Sequence, residues 1–299
     1  MLTADAREAA RRAVDEARAS LGGLPPALAV LFASAHFFGS AEDLAAAVAE
    51  QAGPVPLIGC VAEAVAGGPR EVESEPAVSL WLAAGLGPVE TYAMEFVRTS
   101  SGGTFGGYRF DVEPGGVHLM LCDPFTFPAG DLLAHLNDHV PGTVVMGGMA
   151  SGGLRLRQSR LFLDGRVLAE GAVGAHLPEA EVHPLVAQGC RPVGDPYTTT
   201  RAEGNVIFEL GGRPPVVRLL ELAAALAGRR AAGALLFTCN GRGSRMFAEP
   251  DHDAGLVAAV LGEIPVAGLF CAGELGPVGG RNFLHTFTAS IALFPGAIG

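Results

Sequence analysis

Short apolar runs alternate with polar, glycine-rich breaks along the whole chain. At the start, Ala6, Ala10, Val14, Ala17 and Leu21 fall on one stripe with Arg7, Glu8, Arg11 and Arg18 around it, which predicts an amphipathic helix over Thr3 to Leu21. Gly22-Gly23 and Pro25-Pro26 then stop the helix and launch a buried run from Ala27 to Ala33. From there one unit recurs three times: an apolar strand, a polar turn, an amphipathic helix, a second apolar strand ending at glycine, a small-residue turn and a returning strand.

The first copy runs through Ala29–Ala33, Asp43–Ala52 and Pro56–Cys60, and returns through Ala77–Ala83 after an acidic loop holding Glu71, Glu73 and Glu75. The second runs through His118–Cys122, Gly130–Val140 and Val144–Gly153, with its return expected at Arg160–Leu163. The third runs through Ala234–Cys239, Asp253–Leu261 and Pro265–Gly268, with its return expected over Leu284–Phe294. A helix between two strands of one sheet gives a right-handed parallel crossover, whereas the short turn before each return predicts an antiparallel neighbour. The expected fold is therefore α/β (mixed α+β), layered, with mixed, partly antiparallel sheets and internal β-α-β-β repeats. Between the second and third copies, Gly189–Thr200, Gly204–Gly212 and Pro214–Leu226 read as strand, hairpin, strand and helix, with the turn at Gly211-Gly212.

Composition narrows the chemistry. With 299 residues, 49% of them hydrophobic, the chain can bury a large core or two merged ones. Its net charge of -11, with scattered acidic residues, argues against nucleic acid as a partner. All 20 basic residues are arginine, so Schiff-base chemistry, pyridoxal phosphate attachment, a P-loop lysine and a lysine base are excluded. The five cysteines are odd in number and widely spaced, and no charged-then-apolar leader opens the sequence, so free thiols and a reducing cytoplasm are expected. No run reaches the roughly 18 apolar residues of a membrane span.

The candidate site gathers in the third copy, where polar and cysteine groups stand at buried strand ends beside glycines: Cys239-Asn240-Gly241-Arg242-Gly243, then Gly268-Leu269-Phe270-Cys271-Ala272-Gly273-Glu274, then Leu284-His285-Thr286. Arg242 could hold a carboxylate with its planar fork or brace its own loop, and Glu274 could take a ligand amino group or pair with Arg242. Cys239 or Cys271 with His285 could also form a nucleophile and base, although small buried thiols are commonly inert. Those three residues lack the close-spaced pairs of a structural zinc site, so no metal is expected, and His135 with His139 read as surface residues. The runs Gly102-Gly103, Gly147-Gly148 and Ser151-Gly152-Gly153 could offer backbone N–H groups to an anion or be only turns, and neither they nor any other run forms a dinucleotide fingerprint, so no cofactor is expected.

These residues carry a resemblance. Leu31–Ser34, Leu57–Cys60, Glu71 and Glu73, Ala77–Ala83, Gly204-Asn205, Glu209-Leu210, Cys239–Gly243 and Gly268–Glu274 together make the chain similar to the FIST family, named for F-box and intracellular signal transduction proteins. Glu63-Ala64 stands where similar sequences often have a Gly-Glu pair. The resemblance implies an N-terminal helix over residues 1–26, a FIST N-like domain over 27–185 and a FIST C-like domain over 186–299. It implies a small-ligand sensor rather than an enzyme, with an amino acid or similar small carboxylate as ligand and a separate signalling partner protein. The ligand-contacting set is then Cys239, Asn240, Arg242, Gly243, Cys271, Gly273, Glu274 and His285, with no catalytic residue. A cysteine-dependent hydrolase or transferase, and a docking module without ligand, are the alternatives.

Overall fold

A computed structural model describes residues 5–100, 102–110, 115–187, 199–203, 206–210 and 231–296. The first helix, Ala6–Ser20, starts where Asp5 accepts hydrogen bonds from the N–H groups of Arg7 and Glu8, at 3.0 and 3.2 Å. It buries Ala6, Ala10 and Val14 and packs Ala17 and Leu21 partly against the same cluster, as the apolar stripe predicts.

Each of the three copies is present. In the first, Leu28–Ser34 and Leu57–Ala62 pair in parallel around the helix Ala41–Ala52, and Val78–Ala83 returns antiparallel to the first strand. Val117–Cys122, Ala129–His139, Val144–Met149 and Ala172–Leu177 repeat this arrangement, as do Ala231–Cys239, His252–Leu261, Val266–Cys271 and Ala289–Pro295. The sheets are mixed, as expected.

Two details differ from the sequence expectation. Each second strand runs past its glycine, and a two-stranded hairpin stands between it and the returning strand: Val65–Gly67 with Arg70–Val72, Leu161–Leu163 with Arg166–Leu168, and Glu274–Val278 with Arg281–His285. Leu161–Leu163 is consequently a hairpin strand, and the second return lies at Ala172–Leu177. The hairpins are short, so their apolar residues merge with those of the true return in a linear reading. The expected helix at Pro214–Leu226, the turn at Gly211-Gly212, Gly204-Asn205 and Cys190 lie outside the described residues.

The hairpins do not stay with their own copies. The first copy's hairpin pairs with Val266–Cys271 of the third, the second copy's with Leu57–Ala62 of the first, and the third copy's with Val144–Met149 of the second. The three sheets are thereby locked in a closed cycle. Further strands extend two of them: Glu90–Thr99 lies beside the second return and His183–Ala187 beside the third.

The sheets face one another across a central core that takes Phe32 and Ile58 from the first, Leu119 and Met146 from the second, and Phe237 and Leu269 from the third. Phe32 and Phe237 meet edge to face at 6.3 Å. The helices cover the outer faces in three separate clusters, which gives the layered arrangement. Both faces of the central strands are buried, which accounts for continuous apolar runs such as Leu28–Ser34.

In every copy one glycine of the second strand lies against a backbone carbonyl of the first. A Cβ added to Gly59, Gly147 or Gly268 would stand 2.0, 1.9 or 2.4 Å from the oxygen of Leu31, Met120 or Leu236. The glycines that end each apolar run in the sequence are thus where a side chain would collide with the neighbouring parallel backbone. Two or three residues beyond them each second strand ends, and the end at Cys271 carries the candidate chemistry.

Candidate functional site

Cys239 and Cys271 are register partners at the ends of the third copy's parallel strands. Asn240 N donates to Cys271 O at 2.8 Å and Arg242 N to Cys239 O at 2.9 Å, folding the Asn240–Gly243 loop back over the strand ends. Gly243 adopts a left-handed conformation at φ 57°, and a Cβ there would collide with Phe270 and with the Glu73 carboxylate.

The planar fork of Arg242 is occupied by Asp253. Its Nε and Nη2 each donate to that carboxylate at 2.7 Å, and the pair is nearly buried, with side chains 11% and 1% exposed. Asp253 also accepts from Thr238 Oγ1 at 2.5 Å, and His252 Nδ1 lies 3.1 Å from it. Burial alone would raise its pKa, but these bonds and the Arg242 charge outweigh burial and hold the carboxyl below the usual range. The guanidinium sits over the Phe247 ring at 4.9 Å, and Phe247 stacks on His252. Nη1 is the one guanidinium nitrogen not engaged by Asp253, with Phe287 O at 3.5 Å.

The first copy grips this assembly from the other side, through Glu63 at the end of its second strand and through its acidic loop. Asn240 Nδ2 donates to Glu63 at 3.1 Å, and Arg245 pairs with the same carboxylate. Ser244 donates to Glu73 through N at 2.9 Å and through Oγ at 2.7 Å. Glu71 Oε1 accepts from Asp253 N and Ala254 N, both at 2.9 Å, and so caps the helix His252–Leu261. Ser151 of the second copy completes the junction, accepting from Glu63 N at 2.8 Å and donating to Phe270 O.

Glu71 Oε2 is buried without a partner, and burial pushes the carboxyl up to about 7. A carboxyl raised in the folded state binds its proton more tightly there than in the unfolded chain. Its contribution to stability is therefore lost as pH rises from about 4.3, the unfolded value, through the folded value. The urea midpoint should fall between pH 5 and pH 8, and the fall should be smaller in Glu71→Gln; an equal fall in both proteins would refute the assignment.

Glu274 is the innermost group, with no exposed surface. Oε2 accepts from Thr288 N at 3.3 Å, while Oε1 has no partner of ordinary hydrogen-bond geometry. The Cys239 thiol makes a loose contact with this carboxyl, and the N–H groups of Gly241 and Phe287 point at its sulfur. Burial pushes Glu274 up to about 8, and burial followed by the Glu274 charge pushes the Cys239 thiol up. Phe287, left-handed at φ 55° and 63% exposed, forms the outer lip beside Gly241.

The structure thus brings Cys239, Glu274 and Arg242 together, with Glu274 feeling the Arg242 charge rather than bonding to it. Asn240 faces Glu63, and Gly243 faces Glu73 of the acidic loop. Cys271 is buried behind the site, where the space beside Gly148 accommodates its sulfur, and Gly273 O accepts from Met149 N at 2.8 Å. His285 is the cross-strand partner of Glu274, and its Nε2 lies 3.0 Å from Gly276 O. Asp253, Glu63, Glu71, Glu73, Phe287 and Thr288 are site residues that the sequence reading does not place there. The alternating Glu71 and Glu73 were visible as an acidic loop, but their long-range partners were not. Among the described residues no three His, Cys, Asp or Glu side chains converge as metal ligands, and no helix is long and apolar enough to cross a membrane.

The FIST N domain matches residues 27–213 and the FIST C domain residues 197–277. The chain is 42% identical to the uncharacterized protein Mb0898c of Mycobacterium bovis, over 98% of its own length and 96% of that protein. It is 43% identical to the uncharacterized protein Rv0628c of Mycobacterium tuberculosis, with 97% of each covered.

Proposed function

The chain belongs to the FIST family of signal-transduction sensory domains, and on that premise we propose that it binds a small polar metabolite beside Cys239 and Glu274 and reports it to a separate partner protein. The ligand class is an amino acid or a similar small carboxylate, and the site is cytoplasmic. One observation supports this most: a buried carboxyl at the strand ends, Glu274, keeps an oxygen without a partner of ordinary hydrogen-bond geometry beside the Arg242 loop. An orphaned buried polar atom is costly unless something binds it. Arg242, fixed by Asp253 and with Nη1 donating to Phe287 O, supplies a positive charge that acts at the same place.

Binding fits the site better than nucleophilic catalysis. Burial pushes the thiols of Cys60, Cys122, Cys239 and Cys271 all upward, so none is poised as a thiolate, and His285 Nε2 is directed at Gly276 O.

Thermal denaturation in the presence of amino acids and short carboxylates tests the proposal. A ligand at about 100 times its Kd stabilises the folded state by about 2.7 kcal/mol, a rise on the order of 5 °C for a chain of this size. Glu274→Leu should abolish the rise. If no compound of these classes raises Tm, or if Glu274→Leu responds like the wild type, the site is not the sensor's.

A further inference from the structure

The three returning strands align through the first-strand residues whose carbonyls face Gly59, Gly147 and Gly268: Leu31 pairs with Leu80, Met120 with Gly174 and Leu236 with Ile291. On its far side the second return takes Glu90–Thr99, with Tyr92 opposite Gly174. The third takes His183–Ala187, with Leu185 opposite Ile291. Both added strands are antiparallel, and each is the next strand after the return of the preceding copy. The first return has no such neighbour. Among the described residues Val78–Ala83 is the outermost strand of its sheet, and nothing pairs with Leu80 on that side.

The bare edge is built to pair. Ser34 N donates to Ala77 O at 2.9 Å, so the main-chain groups of Ser79 and Trp81 turn toward the first strand and those of Val78, Leu80 and Leu82 turn outward. The outward groups line a groove of about 400 Å³ between the first helix and the hairpin strand Arg70–Val72. The edge holds no charge, proline or bulge, the devices that keep sheet edges from pairing. On the helix wall Ala13 and Ala17 are small enough to admit another backbone, and Glu16 is exposed and in no ion pair.

We propose that Val78–Ala83 is the docking edge for a partner protein, which adds an extended segment antiparallel to it, with aliphatic residues in alternation and a basic residue against Glu16. Main-chain bonds to Val78, Leu80 and Leu82 supply the affinity, and the groove walls and the Glu16 charge select the side chains. The proposal takes from the function above only that the partner is a separate protein, and it does not depend on the ligand. The strand Arg70–Val72 joins the two places: Glu71 caps the helix at the candidate site, while Arg70 and Val72 line the groove.

Amide exchange in the isolated protein, followed by NMR, should be fast at Val78, Leu80 and Leu82 and slow at Ser79 and Trp81. The probes are six-residue peptides, acetylated and amidated, that alternate Val, Ile or Leu with Thr and carry Arg or Glu at one end. A binding member at about ten times its Kd should slow the three outward amides about tenfold, and Arg-bearing peptides should bind more tightly than Glu-bearing ones. Glu16→Arg should reverse that preference. Ala13→Trp, which fills the groove, should abolish the protection, with Tm showing that each variant remains folded. Outward amides already as slow as Ser79 and Trp81 would show an edge covered by the chain itself, and slowing that grows with protein concentration would assign it to a second copy; either overturns the proposal. So does a failure of every peptide, or binding that both variants leave unchanged. None of these measurements contains a metabolite, so such a failure leaves the ligand reading of the Cys239 and Glu274 site standing.

Discussion

Asp253→Ala should destabilise the protein by about 3–5 kcal/mol, because it leaves the nearly buried Arg242 guanidinium without its counter-charge. It also removes the acceptor for Thr238. The loss should appear as a large drop in the urea midpoint with little change in slope. Replacing both partners, as in Arg242→Leu with Asp253→Leu, should restore most of it, since no unpaired charge then remains. The pH dependence follows from the depressed carboxyl of Asp253: its contribution is present above the unfolded value of about 3.9 and is lost as pH falls below it. The difference between wild type and Asp253→Ala should therefore shrink between pH 5 and pH 2. A single mutant as stable as the wild type at pH 7 would show that the pair does not hold the loop.

Gly147→Ala should be at least as damaging. The residue sits at φ 143°, where side chains are strained, and its Cβ would lie 1.9 Å from Met120 O of the paired strand. Neither backbone can move without breaking the parallel ladder in the buried second sheet, so a loss above about 4 kcal/mol is expected, seen as insoluble or unfolded protein. Gly130→Ala is the control: it lies in the helix Ala129–His139 with nothing within 4 Å of the added Cβ, so it should be neutral or stabilise by up to about 1 kcal/mol. Equal behaviour of the two substitutions would refute the close-approach argument.

How much of this was legible in the sequence depended on range. The threefold recurrence, the mixed sheets and the stripe of the first helix follow from local periodicity, and Ala6, Ala10 and Val14 are buried as that stripe requires. The hairpins escaped because three-residue strands such as Leu161–Leu163 are too short to carry a period of their own. Cys239, Arg242 and Glu274 could be named because glycines mark the strand ends around them. What Arg242 bonds could not be named: an aspartate in the first turn of a helix looks like an ordinary dipole partner, and only the fold turns Asp253 inward to the guanidinium. Contacts from Glu63 and Glu71 to the third copy span well over 100 residues and leave no local trace.

The cyclic exchange of hairpins fixes the copy number. An open solenoid can gain or lose a unit and still end in a cap, because each unit touches only its neighbours. Here a fourth unit would have to be inserted into a loop already shut, and deleting one would leave one lent ribbon without a host and one sheet without its guest. Lineages built on this plan should therefore vary in their connecting segments and keep three units.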